Sequence, residues 1–168
     1  MKTVILFLDF DGVLHPDEVY RYPGKGIVLK TACLPVECEN LELFCYMPAL
    51  EKVLADFPLV KIVLSTSWVK EIGFDRTSKR LSPALRERVI GATFHSRHTP
   101  DWNRMTRYSQ IVEHVERHHL GRRWIAVDDD DCGWPRSMSD RLVATDVYEG
   151  IAAPAALADL RAKLERLC

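Results

Sequence analysis

The chain has 168 residues, 47% of them apolar and 28% charged, with a net charge of −1. That length sets one domain that can bury roughly two-thirds of its unfolded surface without staples. The near-neutral charge argues against a non-specific polyanion binder, and no apolar stretch approaches the roughly 20 residues of a membrane span.

Thr3 to Leu8 is a continuous apolar run, rich in β-branched and aromatic residues, stopped by Asp9-Phe10-Asp11-Gly12. A run without polar alternation predicts a strand buried on both faces of a parallel sheet. Residues 15–46 break the pattern that follows and are read as a flap inserted after this strand. Within it Tyr20 to Val28 predicts a turn or hairpin, and Leu41 to Tyr46 a further short strand. Met47 to Phe57 predicts a helix, with Pro48 in its first turn and Leu50, Val53, Leu54 and Phe57 on one face. Val60 to Leu64 is a second buried strand, stopped by Ser65-Thr66-Ser67.

Ser82 to Val89 starts a helix on Ser-Pro, and Arg88 to Ala92 reads as a short strand. Tyr108 to His118 spaces Ile111, Val112 and Val115 for a helix. Trp124 to Val127 is the third strong strand, stopped by Asp128 to Asp131, and Leu142 to Ala144 is a shorter one. Pro154 to Leu167 closes the chain as a helix with Leu157, Leu160, Leu164 and Leu167 inward. Strands alternating with helices predict an α/β, three-layer, Rossmann-like domain spanning 1–168, with a mainly parallel sheet.

Ligands of such sheets sit beyond the carboxyl ends of the strands. All three strong strands end in acids or hydroxyls, so three separate segments deliver oxygen atoms to one edge. Carboxylates packed this way need a compensating cation, and a few hard oxygen ligands suit magnesium. Asp9, Asp11, Asp128 and Asp129 are the candidate metal residues. Gly12 permits the tight turn that lets backbone approach a ligand.

Phosphoryl transfer needs a nucleophile, a proton carrier and a fixed cation. Asp9 suits the first role and Asp11 the second. Ser65, or Thr66 beside it, can donate to the transferring group. Arg107 is the choice for the cation and Arg104 the reserve. Simpler readings stand beside these. Asp-Gly is a common turn pair, Ser65 to Ser67 can cap a helix, and Asp130 and Asp131 are expected to face solvent.

Leu8-Asp9-Phe10-Asp11-Gly12-Val13 resembles the first motif of the haloacid dehalogenase (HAD) superfamily of phosphohydrolases. Leu64-Ser65 resembles its second motif and Val127-Asp128-Asp129 its fourth, in the same order. The resemblance implies Asp9 as nucleophile and magnesium ligand, and Asp11 as acid/base with its backbone carbonyl on the metal. It implies Asp128 as a further ligand supported by Asp129. The family usually places a Lys in its third motif, where this chain offers Arg107. The short insert implies a capless or nearly capless member, open to a phosphate on a large substrate. Asp-Gly-Val-Leu-His-Pro with Leu-Ser-Thr-Ser-Trp resembles the HAD domains attached to RNA-repair proteins. A nucleic-acid end is therefore an expected partner. A phosphate- or nucleic-acid-binding module without catalysis is the competing expectation.

The five cysteines are Cys33, Cys38, Cys45, Cys132 and Cys168. The apolar run after Lys2 meets Asp9 too soon for a signal sequence, so the expected compartment is a reducing cytoplasm with free thiols. Zinc held by Cys33, Cys38, Cys45 and His15 has no finger or ribbon spacing to support it. His95, Arg97, His98, Arg104 and Arg107 form a basic stretch, read as a solvated loop or an anion-attracting rim. Trp68, Trp102 and Trp134 are expected to pack, with stacking on a base as the functional option.

Overall fold

The structure is a computed structural model, and it describes residues 3–30, 41–97 and 101–168. Five parallel strands form its central sheet: β1 (Val4–Leu8), β4 (Val60–Leu64), β5 (Val89–Ala92), β6 (Trp124–Asp128) and β7 (Leu142–Ala144). Their order is β5-β4-β1-β6-β7, which puts β1 in the centre. Every residue of β1 and β6 is buried. This is why both read as unbroken apolar runs.

Alternation along the strands feeds two separate cores. Val4, Leu6 and Leu8 point to one face, with Ile62, Leu64, Ile125 and Val127. Helices α1 (Met47–Leu54) and α6 (Pro154–Leu167) cover that face through Leu50, Leu54, Leu160 and Leu164. Ile5 and Phe7 point to the other, with Val63, Trp124 and Ala126. There α5 (Arg107–Arg117) supplies Ile111. The result is helix, sheet, helix: an α/β Rossmann-like domain with a parallel sheet.

The insert after β1 carries an antiparallel hairpin of β2 (Val19–Tyr22) and β3 (Gly26–Leu29), anchored on the larger core by Val19 and Ile27. Residues 41–46 form turns, not the short strand expected there. Tyr46 donates its N–H to Leu14 C=O, which ties this stretch back to the loop after β1. The helix after Ser82 stops at Arg86 (α4, Pro83–Arg86), because Val89 already pairs with Ile62 in the sheet. Two short helices, α2 (Trp68–Ile72) and α3 (Phe74–Ser78), follow β4. At five residues each they are too short to show a periodic pattern.

Candidate active site

The parallel ladder continues past the strand ends and sets the site. Asp9 N–H donates to Val127 C=O (3.1 Å) and Ser65 N–H donates to Leu8 C=O (2.8 Å). Asp9, Ser65 and Asp128 are thus neighbours by register, and all three are buried. Gly12 holds the turn beyond Asp9 with φ +65°. A Cβ on it would lie 2.4 Å from the Asp129 carboxylate carbon. The absence of a side chain there is what lets the β6 acids close on the β1 loop. Thr145, just past β7, fixes the same turn by donating its Oγ1 hydrogen to Gly12 C=O (2.8 Å).

Arg107 stands at the first position of α5. Thr106 caps this helix by accepting the Ser109 N–H on Oγ1. The Arg107 Nη2 donates to Asp9 Oδ2 at 2.8 Å. Its Nε lies 3.0 Å from Asp128 Oδ2, an ion pair without hydrogen-bond alignment. Arg104, the reserve, lies exposed on a 3-10 turn and pairs with none of these carboxylates. Phe10 N–H donates to Asp9 Oδ1 at 2.7 Å.

One guanidinium does not balance the acids. Asp9, Asp128 and Asp129 each bring a carboxylate oxygen to within 4.8 Å of the others. Burial, with the neighbouring Asp11 charge, pushes the Asp9 pKa up to about 6 despite Arg107. Burial and the charges of Asp9 and Asp17 push Asp129 up to about 7. Asp128 is raised well above the carboxylate range by burial and by Asp9. Burial works against the Arg107 charge, but Asp9, Asp128 and their neighbours outweigh it and the pKa rises. Asp128 Oδ2 and Ser65 Oγ are buried without hydrogen-bond partners. Clustered carboxylates, a surplus of negative charge and an orphan ligand oxygen together fit a hard divalent cation.

Asp11 is held differently, and by residues whose role was not anticipated. Its Oδ1 accepts from Trp68 Nε1 (2.8 Å) and pairs with His15 Nε2 (3.1 Å). The other nitrogen of His15, Nδ1, accepts the Phe44 N–H at 3.3 Å. That contact fixes the tautomer: the proton is on Nε2, so His15 also donates to Asp11. With two donors on Oδ1, a proton on Asp11 belongs on Oδ2, which has no hydrogen-bond partner among the described residues. Phe10, Phe44, Trp68 and His15 pack edge to face around this pair.

Thr66 is buried, and its Oγ1 accepts the Trp68 N–H at 3.4 Å. Trp102 is buried against Phe94, and Trp134 packs on Tyr108. Of the basic stretch, Arg97 and Arg104 are exposed, and His98 lies outside the described residues. Of the zinc set, Cys33 and Cys38 lie outside them too. No helix among the described residues is long and apolar enough to cross a membrane.

Residues 5–156 match the family described as the HAD domain in Swiss Army Knife RNA repair proteins, and the chain belongs to that family. No curated protein and no solved structure matches it. Membership fits a strand-end site of this kind and a phosphohydrolase-type or related function.

Proposed function

We propose that the protein is a magnesium-dependent phosphohydrolase that cleaves phosphomonoesters through an aspartyl phosphate at Asp9. The observation that carries this reading is the pairing of Asp9 with Arg107 inside a cluster of acids. A buried carboxylate at such a point is aligned by a cation that can also bind the incoming phosphate. Magnesium held by Asp9, Asp128, the Asp11 carbonyl and, behind them, Asp129 would neutralise charge on the transferring phosphoryl group.

The chain's own groups do the rest. An Asp9 carboxylate oxygen attacks phosphorus, the ester P–O bond breaks, and the leaving oxygen takes the proton from Asp11 Oδ2. Water then attacks the aspartyl phosphate and gives its proton to Asp11, which releases inorganic phosphate and restores Asp9. Ser65 Oγ, with no partner of its own, and Thr66 donate to the phosphoryl oxygens. Arg107, whose Nη1 donates to Gln110 and Nη2 to Asp9, would have to turn that edge to them to act as a fork, a geometry that a Lys does not offer.

The substrate we favour is a terminal phosphate on a nucleic acid, in line with the RNA-repair context in the family description. The test is magnesium-dependent phosphate release from an aryl phosphate. Asp9→Asn is expected to abolish it, with a fall of at least about a thousandfold, while the fold survives. Beryllium fluoride should trap at Asp9. Full activity in a folded Asp9→Asn protein would remove Asp9 as nucleophile.

A further inference from the structure

The hairpin and the short helices after β4 enclose a groove that the hydrolytic chemistry does not use. Its inner end, about 120 Å³, is lined by Asp11, Trp68, Tyr20, Arg21 and Ile27. Arg21 and Ile27 also line its outer end, which opens to about 510 Å³ between Arg76, Lys79 and Arg80. Arg21 and Ile27 form a wall common to both, so the groove has Asp11 at one end and Arg76, Lys79 and Arg80 at the other. Its larger end has the volume of an ordinary ligand site.

The charged residues lining the outer end are all cations, while the inner end adds the acids Asp11 and Glu71. Arg76, Lys79 and Arg80 form no ion pair among the described residues. Arg21 shares its charge with Glu71 at 3.0 Å, and Asp75 is the other acid nearby on α3. The Arg80 guanidinium stands 5.9 Å from the Trp68 ring, the same ring that donates to Asp11. Tyr20 lines the inner end and is exposed. A chain with a net charge of −1 has concentrated cations at one mouth, with Tyr20 and Trp68 at the inner end.

We infer that this groove is a binding track for a single-stranded polynucleotide whose terminal phosphate lies at Asp9, with internal phosphates held by Arg21, Arg76, Lys79 and Arg80. The inference rests on the phosphomonoester reading of the site and extends it to the rest of the substrate. A polynucleotide offers what the groove takes: phosphates repeating along a strand, alternating with flat bases that can stack on Tyr20. An acidic peptide offers the charge without the flat faces.

The test separates binding from chemistry by using the Asp9→Asn protein and fluorescein-labelled oligouridylate, read by anisotropy across a salt series. The double variant Arg76→Gln/Lys79→Gln, at exposed positions the fold does not depend on, should weaken binding about tenfold. It should also lower the salt slope by about 1.4, for two phosphate contacts at about 0.7 each. In the protein with Asp9 intact, the same pair should lower kcat/KM for a 5′-phosphorylated oligonucleotide relative to that for an aryl phosphate. Unchanged affinity and slope would overturn the groove. Displacement of oligouridylate by polyglutamate at equal charge concentration would overturn its assignment to nucleic acid. Binding that responds to Arg76 and Lys79, in a protein that releases no phosphate from any substrate, would keep the groove and discard the chemistry.

Discussion

His15 is completely buried, and each of its ring nitrogens has a partner: Nε2 meets Asp11 and Nδ1 takes the Phe44 N–H. A leucine there would fill the space but leave Asp11 with only the Trp68 donor. His15→Leu is expected to lower kcat about tenfold, the equivalent of one lost hydrogen bond to a charged group. His15→Gln, which can return an amide N–H to Asp11, should recover most of it. Equal loss in both variants would mean that His15 acts through packing alone. The sequence made Asp9, Ser65 and Asp128 visible because each ends a buried apolar run, where an oxygen-bearing side chain is costly without a purpose. His15 and Trp68 gave no such signal. Their meeting at Asp11 depends on the turn that folds residue 15 back beside residue 11, and on a helix too short to announce itself.

Helix α5 exists partly to deliver Arg107. Thr106 accepts the Ser109 N–H and starts the helix one residue before that side chain, while Gly133 leaves room for the Thr106 hydroxyl and methyl. Thr106→Ala should cost about 1 kcal/mol of stability, measured by denaturant unfolding, and Thr106→Ser should restore it. If Thr106→Ala is as stable as the parent, the cap is not what holds this end. The spacing of Ile111 and Val115 made the helix legible from sequence, and its start came within one residue of the expectation. The choice between Arg104 and Arg107 rested on position along the chain. In the fold Arg107 lies against Asp9 and Arg104 lies in solvent. Leu41 to Tyr46 misled because apolar residues at a strand-like density serve here as turn residues packed on the core: Phe44 is buried with a φ of 66°.

At the scale of the whole molecule, the site works against the fold that builds it. Folding raises the pKa of Asp9 to about 6 and of Asp129 to about 7, from a usual 3.8. The folded chain therefore holds more protons than the unfolded chain between those values. Its stability falls as pH rises through that range. On the magnesium reading proposed above, the metal would bind the deprotonated acids and reverse this penalty. The melting temperature without metal should drop from pH 5 to pH 8, and the gain on adding magnesium should grow over the same range. Asp9→Asn should shrink both trends. At this size each kcal/mol moves the midpoint by roughly 2–4 °C. Burial, with the neighbouring charges of His118 and Arg117, lowers His114 to about 4, so its contribution is lost as pH falls below 6.5. Comparing curves with and without magnesium at each pH cancels it. A magnesium effect independent of pH would show that these carboxylates are not its ligands.

The central place of β1 also has a meaning in time. β1 pairs with β4 on one side and with β6 on the other. A chain emerging from the ribosome carries Asp9 well before Asp128, which lies more than 100 residues further along. Until then the first strand lacks its β6 neighbour, and the acids cannot gather. These long loops must close before the carboxylates can cluster, which places that assembly among the slow, late events of folding. On the reading proposed above, a growing chain would thereby be kept from capturing metal, or attacking phosphate, before β6 has been made.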